Sequence, residues 1–181
     1  MREIVAVLVN IRSVHNVGSM FRTADAAGVS KMYLCGITPT PLDRFGRFRG
    51  DFAKVSLGAE RSVAWDASAS SVRATSRLLG NLKREGYKIF AVEQSAKSVP
   101  CFSLKPSRGK IALVFGNEVR GLSPTLLRHA DRIVEIPMRG AVVRQARHPK
   151  HTGRGKESLN VAVAFGIVAY NFLQPPRAPA Q

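Results

Sequence analysis

The run "IVAVLV" at residues 4–9 limits what this chain can fold into more than any other stretch. Apolar and mostly β-branched, it has no polar residue in alternation. A strand built from it must therefore be covered on both faces, as in a parallel sheet packed between helices. Comparable runs recur as "KMYLC" (31–35), "YKIFAV" (87–92), "KIALVF" (110–115) and "RIVEIP" (132–137). Helix-like segments lie between them. Asn16 is placed to cap "VGSMFRTADAAG", in which Val17, Met20, Phe21 and Ala24 recur at helical spacing and Gly28 follows the end. Residues 70–85 read as an exposed helix, and Ser123-Pro124 offers an N-cap and a first-turn proline for a short one. "SLNVAVAFGIVAYNFL" is apolar on nearly every face and reads as a buried helix, ended by Pro175-Pro176. Residues 36–60 read as a basic loop. Strands alternating with helices predict an α/β fold with a mainly parallel sheet covered by helices. A single domain over 1–174 is expected, followed by a disordered tail over 175–181.

Charge narrows the partners. Lys and Arg number 28 against 12 acids, a net charge of +16 with a pI near 11.1. Such an excess points to a polyanion, because neutralising phosphates releases counterions and drives association. Two segments concentrate it. Arg44, Arg47 and Arg49 interleave with Phe45, Phe48 and Phe52. That pattern suits stacking on unpaired bases with phosphate contacts, and equally suits core phenylalanines between solvated arginines. Between "IPM" and "ESLNVAVA" runs a second basic stretch holding Arg144, Arg147, Lys150 and Arg154 without an acid. Pro149, Gly153 and Gly155 make it an excursion rather than an added element. Cys35 and Cys101 are too few for a disulfide framework and lack the spacing of a zinc site, so free thiols in a reducing compartment are expected. The N-terminus has no signal-peptide pattern. Val161 to Ala169, the longest apolar run, falls short of the roughly 20 residues a bilayer span requires. A cytoplasmic protein that does not meet a membrane is expected, or an organelle matrix protein without its presequence.

Three loops at strand ends carry the chemistry, where open α/β sheets place their ligand sites. In "NIRSVHNVGSMFRTA", Gly18 permits close approach, and Arg22 either serves a site or pairs with Asp25 three residues on, for a few tenths of a kcal/mol. In "VFGNEVRGLS", Gly116 permits a sharp turn with Glu118 on its rim. No Lys-Ser pair follows the second glycine, so this is not a phosphate-binding loop of the G-x-x-x-x-G-K-S kind. In "ESLNVAVA", Ser158 is placed to cap the last helix with Asn160 in its first turn; capping alone would account for both.

Taken in order, "NVGSMFRTADAAGV", "LVFGNEVRGLS" and "IPM…ESLNVAVAFGIVAY" resemble the three signature motifs of the SpoU (TrmH-like) branch of the SPOUT RNA methyltransferases. The resemblance runs from residue 4 to about 173. It implies a SPOUT-type sheet with a C-terminal deep trefoil knot, a rare exception to the rule against knotted chains. It also implies a homodimer, S-adenosylmethionine as cofactor, and methyl transfer to a ribose 2′-hydroxyl of structured RNA, tRNA or rRNA. By the same resemblance Gly116, Ile136, Met138 and Leu159 would form the cofactor pocket. Arg22 would be the catalytic arginine, with Asn16, Glu118, Ser158 and Asn160 at the remaining catalytic-site positions. Against the family pattern, Ala141 to Gly155 is a basic insertion within the third motif. A basic arm that grips RNA phosphates is one reading of it. A non-catalytic RNA-binding protein that keeps the fold is the alternative it favours.

Overall fold

Side-chain alternation along the first strand sets the architecture. The computed structural model describes residues 2–104, 109–138 and 158–173. Within β1 (Arg2–Val9), Ile4, Ala6 and Leu8 enter one apolar cluster while Val5, Val7 and Val9 enter another on the opposite face. A strand apolar on both faces can only sit inside a sheet, and β1 does. The sheet continues through β2 (Lys31–Cys35), β3 (Ala64–Asp66), β4 (Tyr87–Val92), β5 (Val99–Pro100), β6 (Gly109–Phe115) and β7 (Arg132–Glu135). Their spatial order is β3-β2-β1-β6-β4-β7-β5, and every pairing is parallel.

One face is covered by α1 (Val14–Ala27), α2 (Gly50–Ser56), α3 (Ala59–Ser62) and α6 (Val161–Leu173). The other is covered by α4 (Val72–Arg84) and α5 (Pro124–Leu127). Phe21, Phe52, Phe115 and Phe165 are fully buried between the first group and the sheet. Burial of each stabilises the fold by about 2–3 kcal/mol relative to exposure. Phe21 meets Phe52 edge-on at 5.3 Å between centroids, and Phe115 meets Phe165 at 5.2 Å.

Several sequence expectations are corrected. Residues 36–60 are not all loop: α2 forms there because Phe52 and Ser56 bury against α1. Gly18 is needed for that contact, since a Cβ on it would lie 2.9 Å from Val55 Cβ. Asn16 does not cap α1; Ser13 does, its Oγ accepting from the Asn16 amide at 3.2 Å. Asn16 thereby moves into the first turn, with its side chain free for other work. Ser158 does not cap α6 either. Asn160 Oδ1 accepts from the Ala162 and Val163 amides, at 2.9 and 3.4 Å. The 70–85 helix is amphipathic rather than simply exposed, burying Thr75, Leu79 and Leu82. α6 is buried on one side only, with Val163 and Tyr170 about half exposed. The edge strands β3 and β5 are too short to carry a periodicity. Gly28, Ser123 and Pro124 stand where the sequence puts them. The trefoil knot depends on the path of residues 139–157; that segment, with Arg144, Arg147, Lys150 and Arg154, lies outside the described residues, as does the tail 175–181.

Candidate active site

The carboxyl ends of β1, β4, β6 and β7 share one rim of the sheet, and the three chemistry-bearing loops leave from it. Asn10 follows β1 directly and takes a positive φ of 57°, a conformation asparagine tolerates better than most residues. Its carbonyl accepts from Asn117 Nδ2 at 2.8 Å, and its Oδ1 accepts from the Ile37 amide at 3.2 Å. Asn117 Oδ1 in turn accepts from the Val119 and Arg120 amides, both at 3.0 Å. The loop after β6 is thus pinned to the end of β1. Gly116 is required by the same folding: a Cβ there would stand 2.6 Å from the Gly121 carbonyl carbon and 2.7 Å from the Leu122 nitrogen.

Three side chains from the three loops meet. Asn16 Nδ2 donates to Glu118 Oε1 at 3.1 Å, and Asn160 Nδ2 donates to Asn16 Oδ1 at 3.1 Å. Asn16 therefore joins residues 102 and 144 positions away in the chain. Because Ser13 and not Asn16 caps α1, the Asn16 amide group is available to do this. Asn160 serves twice, its oxygen capping α6 and its nitrogen reaching Asn16.

Beside this junction lies a cavity of about 290 Å³. Its wall includes Gly116, Ile136, Met138 and Leu159, the residues expected to bind a cofactor, together with Glu118, Ser158 and Asn160. The remainder is largely apolar, with Val92, Phe115, Val161 and Ala164. Sequence reasoning missed Glu93 and Glu135, which also line it. Glu93 Oε2 accepts from the Leu122 amide at 2.9 Å, and Glu135 Oε2 lies 2.8 Å from Ser98 Oγ. Only their position directly at strand ends signalled them. With Glu118 the cavity holds three carboxylates, and no Lys or Arg stands among its described lining residues. In a chain of net charge +16, that is a local reversal of sign.

Arg22 is not part of this junction. It stands exposed on α1 and has no hydrogen bond or ion pair among the described residues. The Asp25 carboxylate, its alternative partner, accepts instead from Ser62 Oγ at 2.7 Å. Arg44, Arg47 and Arg49 lie on the rim beyond β2: Arg47 and Arg49 pair with Asp43 and Asp51, at 3.2 and 2.7 Å, and Arg44 faces the Phe45 ring. Of the interleaved phenylalanines, Phe52 belongs to the core while Phe45 and Phe48 are 65% and 44% exposed. The core reading thus holds for Phe52, while Phe45 and Phe48 stand outside the core.

A parallel, doubly covered sheet with a polar-edged cavity at its carboxyl rim defines an α/β protein with a ligand site in the usual place for such folds. The particular family follows from comparison. A sequence model of the SpoU rRNA methylase family matches residues 3–143, and the chain belongs to that family. It is 28% identical over 169 residues to the 23S rRNA (guanosine-2′-O-)-methyltransferase RlmB of Xanthomonas axonopodis pv. citri, covering 93% of this chain and 57% of that one. The tRNA (guanosine(18)-2′-O)-methyltransferase of Aquifex aeolicus is likewise 28% identical, over 93% of this chain and 68% of its own. Among solved structures, the AdoMet-bound rRNA methyltransferase of Sinorhizobium meliloti superposes with a TM-score of 0.75 at 26% identity, over 93% of this chain and 55% of that one. The chain thus spans a little over half the length of the rRNA methyltransferases it matches. No helix among the described residues is long and apolar enough to cross a membrane.

Proposed function

We propose that the protein is an S-adenosylmethionine-dependent RNA methyltransferase acting on a ribose 2′-hydroxyl of tRNA or rRNA. The observation that carries this reading is the junction of Asn16, Glu118 and Asn160 at the mouth of the cavity. Three sequence motifs that resemble the family's converge there, although one-turn slips in α1 or α6 would have separated them. The cavity fits the cofactor on its own chemistry. Apolar walls and backbone groups from Gly116, Ile136, Met138 and Leu159 suit an adenosyl moiety, and three carboxylates suit a ligand bearing sulfonium and ammonium charges.

When bound, that cofactor supplies an electrophilic methyl group on a sulfonium. The protein's own work is then to hold the hydroxyl in line, so positioning dominates. A guanidinium makes a poor general base, so Arg22 is not given that part. Its role in this reading is electrostatic, stabilising the oxygen as negative charge develops on it. With no hydrogen bond or ion pair among the described residues, its guanidinium is available to RNA. Asn160 orients Asn16, Asn16 donates to Glu118, and Glu118 and Ser158 line the cavity.

A homodimer belongs to the same proposal. Val163 and Tyr170 fall on one exposed stripe of α6, as a partner-facing helix requires. A cytoplasmic site of action accords with two buried, unpaired cysteines.

The test is transfer of labelled methyl groups from S-adenosylmethionine to cellular RNA, followed by alkaline hydrolysis. A 2′-O-methyl group leaves the label in alkali-resistant dinucleotides, whereas label released in mononucleotides would mean base methylation. Absence of cofactor binding by calorimetry would replace the proposal with a non-catalytic RNA-binding protein.

A further inference from the structure

Beyond β2 the same rim changes character. Residues 42–48 form a tight hairpin, bridged antiparallel between Leu42 and Phe48, with Phe45 at its tip. Asp43 builds it: Oδ1 accepts from the Phe45 and Arg47 amides at 2.8 and 3.0 Å, and Oδ2 accepts from Arg47 Nε at 3.2 Å. The Arg47 amide, above all, holds the Asp43 carboxyl below the usual carboxylate range, and the Phe45 amide adds to this. The turn is thus preorganised around a charged carboxylate. It presents a phenyl ring that is 65% exposed, with guanidinium carbons of Arg44 and Arg47 at 4.7 and 5.1 Å from its centroid. An isolated core phenylalanine does not stand in this way. Phe48, by contrast, is capped by Arg61 at 4.4 Å.

Behind the tip lies an open groove of about 560 Å³, lined by Ile37, Pro39, Thr40, Arg44, Phe45 and Arg49. It is tied to the cavity described above, because Asn10 accepts from both Ile37 and Asn117. A ligand held in the groove is therefore held at a set place relative to the junction of Asn16 and Glu118.

We infer that the Phe45 tip and its groove dock one unpaired nucleotide of the RNA, next to the nucleotide that is methylated. An aromatic ring flanked by guanidinium planes stacks a base of any identity. Of the two arginines, Arg47 is fixed by Asp43, while Arg44 has no hydrogen bond or ion pair among the described residues. An arriving base takes the place of Arg44 on the ring, and Arg44 turns to the phosphate. A duplex cannot offer this contact, because its bases are stacked on one another. The RNA segment recognised here is thus single-stranded: a loop, bulge or end.

This inference rests on the RNA methyltransferase reading for its meaning, but its test does not. The probes are a 12-nucleotide single-stranded RNA with a central 2-aminopurine and a duplex of the same sequence, at fixed salt. Binding of the single strand should quench 2-aminopurine by stacking. Phe45→Ala should weaken single-strand binding by roughly five- to a hundredfold, abolish the quench, and leave duplex binding within about twofold. Phe45→Trp should restore both affinity and quench, which a merely structural role for the ring would not predict. Single-strand binding by Phe45→Ala equal to wild type overturns the inference, as does a Phe45→Trp variant as weak as Phe45→Ala, or a wild-type protein that binds neither RNA. Phe45-dependent quenching without any methyl transfer would sustain the inference while sinking the enzymatic reading.

Discussion

Two stretches of one rim, no more than a few strands apart, have opposite chemistry. At the ends of β4, β6 and β7 the surface folds into a cavity with apolar walls, three carboxylates and no described cation. Beyond the end of β2 it opens into a groove edged by Arg44 and Arg49, with an aromatic tip. The contrast teaches that a net charge of +16 is not spread evenly. A cationic small molecule and an anionic polymer are each given complementary ground, and neither competes for the other's. Like charges on one site would repel its ligand by several kcal/mol, so segregation lets one protein hold both at once.

The comparison breaks most sharply at α1, which carries Asn16 and Arg22. Arg22→Ala should slow methyl transfer at least ~100-fold while the protein stays folded and binds S-adenosylmethionine within about twofold by calorimetry; near-normal turnover would remove Arg22 from the mechanism. Asn16→Ala deletes both bonds of the junction, at 3.1 Å each. At about 1 kcal/mol per bond, roughly a thirtyfold loss of single-turnover rate is expected, with RNA affinity at the groove little changed. Replacing Arg44 by alanine acts on the other side of the divide. The slope of log affinity for single-stranded RNA against log salt should become shallower by about 0.7, while cofactor affinity stays the same. A change in cofactor affinity would show that the two regions are not electrostatically separate. The smallest effect is an expected absence of one. Burial pushes the Cys35 thiol up to about 11, so it stays protonated through neutral pH. Iodoacetamide at pH 8 should not modify Cys35 in the folded protein, and alkylation there would mean that the β2 end opens on the timescale of the assay.

Much of the fold is legible in the sequence because it depends on residues close in the chain. The continuous apolar run of β1 demands coverage on both faces, and the glycine after α1 ends that helix as its left-handed φ of 77° allows. What is not legible locally is which of several competent residues takes a given role. Ser13 and Asn16 are both good caps; the structure uses Ser13 and sends Asn16 to Glu118. Ser158 and Asn160 compete in the same way at α6, and Asn160 wins while also meeting Asn16. Phe45, Phe48 and Phe52 look alike in sequence, yet only Phe52 finds Phe21 across α1.

The sequence by itself thus determined a parallel α/β fold of the SpoU family, an excess of basic charge, and seven of the residues around the cavity. Period, turn chemistry and ordered motifs are properties of neighbours along the chain, and they survive without coordinates. Tertiary structure alone decided that Glu93 and Glu135 make the cavity acidic, and that Asn16 joins Glu118 to Asn160. Each of those facts concerns groups that meet only once the strands are paired, and long-range meeting is what one-dimensional order does not encode.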